Sequence, residues 1–169
     1  MGYHVDLMWV NAYIPADKLD EAYQILCDLN NRNDLKRGGA GGYAFGGTPA
    51  GEEPVNWPHP NVWFSWMPWN YPELYSTAQR ILEEVGFEMA MAVDGDLHFV
   101  GYSSKTGCED RFLEALAPCL IGVDGVDPYF CWHGEDDSIW MQVLREVNGV
   151  DTLVNVEAKM VPMDSKENS

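Results

Sequence analysis

Apolar residues recur along the chain at two spacings, one typical of strands and the other typical of helices. Residues 5–14 are rich in β-forming side chains and predict a first strand. Residues 19–29 carry apolar side chains three and four positions apart, which places them on one face of a helix. Residues 62–67 predict a second strand, and a second helix is expected from an N-cap at Asn70 to a stop at Gly86.

A hairpin and a third helix come next in the pattern. The dipeptide Asp-Gly at 94–95 separates the apolar runs 87–93 and 97–103, which is a strong short-range signal for a β-hairpin. Thr106 and Glu109 have the spacing of a capping box, so they predict the start of the third helix. Hairpin strands are antiparallel, and this part of the chain therefore predicts an antiparallel sheet.

Three further strands, at 129–133, 138–146 and 152–161, are predicted in the C-terminal part, and Asn148-Gly149 predicts the turn between the last two. The resulting order, β-α-β-α-β-β-α-β-β-β, mixes helices with hairpins and favours an α+β fold. We expect a single α+β domain over residues 1–162, with a largely antiparallel sheet of about seven strands and three helices packed on it. A disordered polar tail is expected at 163–169.

Residues 38–60 differ in composition from the rest of the chain. They contain seven glycines and four prolines, and no regular element fits them. A loop of this length inside a compact domain is either functional or disordered. Two interpretations remain open: the glycines supply turns and mobility, or the loop closes over a ligand.

Charge and hydrophobic content exclude several classes of protein. The chain has 169 residues and a formal net charge of −17, from 27 Asp and Glu against 10 Lys and Arg. This charge opposes direct binding to nucleic acids and to anionic membranes, where Lys and Arg provide the attraction. A hydrophobic content of 46% is too high for a disordered acidic chain. We therefore expect a folded protein that binds neither nucleic acid nor membranes directly.

The N-terminal sequence and the cysteines bear on the cellular compartment. The start of the chain lacks the basic and apolar regions of a signal peptide, and no apolar run approaches the ~18 residues of a membrane span. Cys27 falls on the apolar face of the first predicted helix and Cys131 within a predicted strand, which suits small buried side chains. We expect a cytoplasmic protein with reduced thiols.

Basic residues are missing from a long part of the C-terminal half. Residues 112–144 contain no Lys or Arg but six acids. Three of these acids, Glu135, Asp136 and Asp137, form a predicted turn between two strands. Because no basic residue in this segment compensates them, we expect a negative rim that attracts a basic partner.

Aromatic residues are concentrated at 57–71, where six of them fall within 15 positions. In a strand, Trp63 and Trp66 would point to opposite faces, so neither face could be fully solvated. The aromatic side chains then either fill the core or form a binding surface, since Trp is favoured at binding hot spots. The candidate binding tryptophans are Trp57, Trp63, Trp66 and Trp132.

No motif in the sequence predicts a metal or cofactor site. Cys-x-x-Cys, His-Glu-x-x-His and the glycine patterns of nucleotide-binding loops are all absent. We therefore predict no cofactor, no metal and no catalytic residue. A third functional hypothesis is a hydrolase that uses His98 or His133 with a neighbouring carboxylate.

The leading hypothesis is a non-catalytic acidic binding protein with a basic protein as its partner. Charge supplies the attraction and the aromatic side chains supply the hot spot. The segment 129–140 is similar in style to proteins of phages and mobile elements, although this likeness carries no site residue with it. It implies an inhibitor of a nucleic-acid-handling or defence protein.

The alternative hypothesis is a protein that binds a small molecule, either nucleotide-like or aromatic. The glycine-rich loop would close over a pocket lined by Trp57, Trp63 or Trp66. A homodimer is also compatible with the edge strands that such a sheet exposes. The basic residues available to hold an anionic group are Lys36, Arg37 and Lys105.

Overall fold

A computed structural model describes residues 3–37 and 62–156 of the chain. It is an α+β fold built on one seven-stranded antiparallel sheet, which confirms the predicted fold class. The strands are β1 (His4–Asn11), β2 (Tyr13–Ile14), β3 (Phe87–Met91), β4 (Leu97–Lys105), β5 (Tyr129–Gly134), β6 (Ile139–Val147) and β7 (Val150–Val156). The helices are α1 (Leu19–Leu29), α2 (Tyr71–Leu74), α3 (Ala78–Val85) and α4 (Glu109–Ala115).

The first strand lies in the middle of the sheet. The strand order is β2-β4-β1-β5-β6-β7, and β3 also pairs with β4. His98 of β4 pairs with Tyr13 of β2 and with Ala90 of β3, so β4 lies between those two strands. Among the described strands, β3 and β7 therefore form the edges of the sheet.

The helices pack on one face of the sheet, because their buried side chains join a single hydrophobic core with residues of the strands. Helix α1 contributes Leu26, α3 contributes Leu82 and α4 contributes Phe112, while β5 contributes Phe130 and Trp132. Hydrophobic burial is the dominant stabilising term in folding. This cluster therefore holds the helices and the sheet together.

The strand predicted at 62–67 is wrong, because residues 63–70 follow bends and turns. Trp63 and Phe64 are both buried in the core. Neighbouring residues of a strand would point to opposite faces, so an irregular backbone is needed to bury both rings on one side. The seventh strand arises instead from a break at Ala12, which divides the predicted strand 5–14 into β1 and β2.

The second predicted helix is divided into α2 and α3. Tyr75, between them, has an extended backbone with φ of −121° and ψ of 135°. Thr77 then caps α3, since its Oγ1 accepts a hydrogen bond from the Arg80 amide at 3.2 Å. The predicted stop at Gly86 is confirmed, and its φ of 124° is a conformation that favours glycine.

The capping box predicted at Thr106 and Glu109 takes a different form. Helix α4 begins at Glu109 itself, with Cys108 as its N-cap residue. The Glu109 carboxylate turns back and accepts hydrogen bonds from the Gly107 amide, at 2.6 Å, and from the Thr106 hydroxyl. Burial raises the pKa of this carboxyl even though the two bonds lower it. The acid therefore ties down the segment before the helix.

Both predicted Gly-containing turns are confirmed. Gly95 has a φ of 92°, and the loop around it is closed by the Ala92 amide, which donates to the Asp96 carbonyl at 2.8 Å. Asn148 and Gly149 join β6 to β7 with φ of 53° and 78°. Positive φ at both central residues matches the right-handed twist of the two strands.

Some predictions fall on parts of the chain outside the described residues. These are the Gly/Pro-rich loop at 38–60, the end of the last predicted strand beyond residue 156, and the tail at 163–169. They stay predictions, as does the extent of the domain. In the described part of the chain, no helix is long and apolar enough to cross a membrane.

Candidate functional site

The face of the sheet opposite the helices carries the candidate site. Phe130 and Trp132 of β5 belong to the core, so the alternating residues Cys131 and His133 point to the other side. Residues paired with them share that side. We call this side the open face and define it by Asp6, Trp9, His133, Ile139 and Met141.

An apolar row crosses the open face. Trp9 of β1 pairs with Cys131 of β5, Cys131 pairs with Met141 of β6, and Met141 pairs with Val156 of β7. The register between β1 and β5 shifts at Met8, and this bulge brings Trp9 onto the same face as Asp6. Trp9 is 60% exposed, so a large aromatic ring faces solvent in the middle of the sheet.

Further exposed aliphatic side chains lie on the open face at both ends of β6. Ile139 at the start of β6 is 52% exposed. Val147 and Val150 pair across the hairpin, and both are exposed. The pair of Arg145 and Thr152 lies between these valines and Met141 on the same face, so the valines are separate from the apolar row.

A polar row lies directly beside the apolar one. Ser103 of β4 pairs with Asp6 of β1, and Asp6 pairs with His133 of β5. His4 Nε2 lies 3.4 Å from Asp6 Oδ1 and 3.3 Å from Ser103 Oγ. A hydrogen bond from Ser103, with the positive potential of His4 and His133, holds the pKa of Asp6 below its usual value. Asp6 is therefore a stable negative charge next to Trp9.

The acidic turn, Glu135–Asp137, closes the polar end of the open face. The Glu135 amide donates to the His4 carbonyl at 3.0 Å, which fixes the turn to β1. Asp136 accepts from the Ser138 amide at 3.1 Å and from the Tyr3 hydroxyl. Hydrogen bonds from Ser138 and Tyr3 lower the pKa of Asp136 to about 2. Asp136 is thus a structural acid that stabilises the turn.

The other two acids of the turn project into solvent. Glu135 and Asp137 are exposed, and Asp137 Oδ1 lies 3.3 Å from His133 Nε2. Asp137 has a φ of 63°, a conformation that Asp tolerates better than most residues. Of the three predicted rim residues, these two therefore have carboxylates available to a partner.

The Lys and Arg ion pairs lie elsewhere. In residues 3–37 and 62–156, every Lys or Arg ion pair joins neighbours within a helix or in the turns that flank α1. The ion pairs of Asp6 and Asp137 are with histidines. In the described part of the chain, no Lys or Arg forms an ion pair with the acids at the negative end of the open face, although Lys105 lies at that end in register with His4.

Three predicted binding tryptophans take positions in or against the core. Trp63 is buried and meets Phe112 edge to face at 5.3 Å. Trp132 is 2% exposed, and its Nε1 donates to Gln142 at 3.0 Å. Trp66 is half-buried, and its Nε1 donates to the Glu84 carbonyl at 3.1 Å. The indole N–H groups of Trp66 and Trp132 are thus satisfied inside the fold, whereas the buried Nε1 of Trp63 has no hydrogen-bond partner among the described residues. Trp57 lies outside the described residues.

The three predicted basic residues differ in burial. Lys36 is nine-tenths buried, its Nζ donates to Asn33 Oδ1 at 2.9 Å, and it lies 5.7 Å from the centre of the Trp63 ring. Burial lowers the pKa of this lysine. Arg37 is exposed, and Lys105 is exposed where β4 pairs with His4.

Histidines and cysteines form no metal cluster in the residues that the structure describes. His98 stacks on Tyr13 with ring centres 5.0 Å apart, and His133 contacts the exposed Asp137. All four cysteines are free thiols. The hydrolase hypothesis stays a prediction. In the described residues, neither of these two histidine contacts includes a nucleophile.

Sequence reasoning did not select Trp9 or Asp6 as site residues. Trp9 sits in a predicted strand whose neighbours Val5 and Leu7 are buried, and strict alternation would have placed it on the core side with them. The bulge at Met8 reverses that assignment. The one signal available was the polar Asp6, which alternates with the buried residues at the start of the strand.

Comparison with protein-family models, with curated proteins and with solved structures finds no match to this chain. Its function therefore has to be inferred from the chemistry of the open face. That face combines one large exposed aromatic ring, an apolar row beside it and carboxylates at one end. Such a combination is suited to holding another macromolecule.

Proposed function

We propose that this chain is a non-catalytic acidic binding protein whose open face binds a basic protein. The observation that carries the proposal is the position of Trp9, 60% exposed, one row away from Asp6 and His133. Trp is enriched among the residues that dominate binding energy, and flanking charges steer the encounter. The open face supplies both features on one surface.

The charge distribution indicates the kind of partner. The chain carries −17 overall, and Glu135 and Asp137 are exposed at the end of the open face. A surface of this kind repels nucleic acid and attracts proteins with clusters of Lys and Arg. Proteins that handle nucleic acid carry such clusters, so we propose a nucleic-acid-handling or defence protein as the target.

The proposal is tested by charge reversal at the acidic turn with Asp136 left in place. The variant Glu135→Lys/Asp137→Asn removes two negative charges, adds one positive charge and keeps a residue tolerant of positive φ at 137. The matched control, Asp17→Asn/Glu73→Lys, makes the same charge change at exposed positions near the helices. The probe is a fluorescent 12-residue peptide of Lys and Ser, titrated at low and high salt.

We expect the peptide to bind the unaltered protein and to be released by salt, because surface charges are screened beyond about 10 Å at 0.1 M salt. Charge reversal at the turn should weaken binding several-fold more than the control does. Equal weakening by both variants would mean that net charge alone attracts the probe. That result, or no binding at low salt, would overturn the proposal.

A second candidate function, binding of a small anionic molecule, is favoured by the environment of Lys36. This ammonium group is nine-tenths buried, and among residues 3–37 and 62–156 it has one amide partner and an aromatic ring beside it, which leaves it donors for an anion. Native mass spectrometry of protein purified from its source cell tests this function. A retained small ligand that is lost in Lys36→Met would support it.

A further inference from the structure

We infer that the segment bound by the open face is amphipathic, with a Lys or Arg side chain beside an apolar anchor that packs on Trp9. This inference rests on the proposed binding function and adds the chemistry of the contact. It follows from the arrangement of the polar and apolar rows, which are separate but adjacent on the same strands.

The spacing of the two rows sets the spacing of the groups on the partner. Cys131 of the apolar row and His133 of the polar row are two positions apart on β5. Two positions along a strand span about 6.6–7 Å. A cation that meets Asp6 and an anchor that meets Trp9 must therefore be separated by a similar distance. Residues i and i+2 of an extended segment meet this requirement.

The anchor site is larger than one ring. Trp9 is flanked in register by Cys131, whose side chain is fully buried, and then by Met141. Cys131 is buried without belonging to the main core cluster, so it fills the floor between its neighbours on the open face. An apolar side chain from a partner would pack on the exposed Trp9 ring, which lies on this face on the other side of Cys131 from Met141.

A second copy of this chain is the less favourable occupant. Face-to-face packing of two open faces would bring the acidic turns of two chains, each with a net charge of −17, towards one surface. Like charges placed together at an interface oppose association. A basic segment instead brings the opposite charge to the carboxylates and an apolar group to Trp9. The charge complementarity of the surface therefore favours a basic partner.

Three 12-residue peptides with a fluorescent label test the inference. One alternates Lys with Ser and carries two central Leu residues, the second replaces both Leu by Ser, and the third keeps the Leu residues but replaces Lys by Glu. The protein variants are Trp9→Ala and its matched control Trp69→Ala, another exposed tryptophan, 48% exposed and outside the open face. Fluorescence anisotropy gives the affinity of each pair.

We expect the Lys/Leu peptide to bind about tenfold more tightly than the Lys/Ser peptide, and the Glu/Leu peptide not to bind. Trp9→Ala should remove this gain and leave Lys/Ser binding unchanged, whereas Trp69→Ala should change neither. The Trp9 indole N–H signal should shift in NMR spectra on addition of the Lys/Leu peptide.

Two outcomes would overturn the inference while the proposed binding function survives. The first is equal, salt-sensitive affinity for the Lys/Leu and Lys/Ser peptides. The second is a gain from Leu that Trp9→Ala does not alter, which would place the anchor elsewhere. A third result would also overturn the inference: a dimer that is stable at neutral pH in analytical ultracentrifugation and that Trp9→Ala dissociates. The open face would then bind a second copy of this chain. Absence of binding by every basic peptide would instead contradict the proposed function.

Discussion

At the scale of single residues, the tryptophans divide into two classes that the sequence does not distinguish. Trp132 is 2% exposed and hydrogen-bonded to Gln142, whereas Trp9 lies on the open face and is 60% exposed. Both occur in predicted strands with apolar neighbours. Their burial depends on which side of the sheet the helices cover, and that is a property of the fold.

The two classes predict different effects of truncation on stability. Trp132→Ala removes a core ring and leaves a cavity, so we expect a loss of about 3–5 kcal/mol in the free energy of unfolding. Trp9→Ala and Trp69→Ala remove exposed rings and should change it by less than about 1 kcal/mol. Urea denaturation followed by circular dichroism measures all three. A large loss in Trp9→Ala would show that its ring is part of the core.

At the scale of elements, the acidic turn between β5 and β6 shows how one residue holds a hairpin end. Asp136 accepts hydrogen bonds from Ser138 and from Tyr3, which links the turn to the segment before β1. Gly134 allows this approach, because a side chain there would collide with the Tyr3 hydroxyl. The turn is therefore both a solvent-exposed acidic surface and a fixed junction of three segments.

The low pKa of Asp136 predicts a pH-dependent contribution to stability. The pKa is lowered from 3.8 to about 2 in the folded protein, so ionised Asp136 stabilises the fold above pH 4. This contribution is lost as the pH falls from about 4 towards 2. Asp136→Ala should be less stable than the unaltered protein at pH 7, and the gap should narrow over that range.

The measurement is the urea midpoint at several pH values, with the exposed neighbour Glu135→Ala as the control. The control keeps the backbone bond from residue 135 to His4, so it should match the unaltered protein at pH 7. A gap between Asp136→Ala and the unaltered protein that stays constant down to pH 2 would contradict the assigned role of the carboxylate.

At the scale of the whole molecule, a large negative charge coexists with an exposed apolar face. The isoelectric point of the chain is about 4.3. At neutral pH the charge keeps molecules apart, and near the isoelectric point this repulsion vanishes. The apolar side chains of the open face are then free to drive self-association.

Light scattering as a function of pH measures this self-association. We expect a maximum near pH 4.3, and we expect it to be lower in Ile139→Ser, which removes an exposed apolar side chain from the open face. Leu74→Ser is the matched control, because Leu74 is also exposed but lies in α2 on the other side of the molecule's core. If both variants lower the maximum equally, the open face has no special part in association.

Local chemistry accounts for the elements that were predicted correctly. Helix α1, the stop at Gly86 and the turns at Gly95 and Asn148 depend on nearby residues, through apolar spacing or positive φ. The division of the second helix was missed because Asn70 and Thr77 are both good N-caps. In the structure Thr77 makes a side-chain cap hydrogen bond and Asn70 makes none.

Spacing, turn chemistry and charge are local properties, so the α+β class, the antiparallel hairpins and the negative charge of the turn at 135–137 could be predicted from the sequence. The burial of Trp63 and Trp132 and the exposure of Trp9 depend on the tertiary structure. A single bulge at Met8 changes the face to which Trp9 belongs, and its position depends on the pairing of Trp9 with Cys131, which is distant in the sequence. Such long-range register leaves no local signature, so the open face could not be predicted.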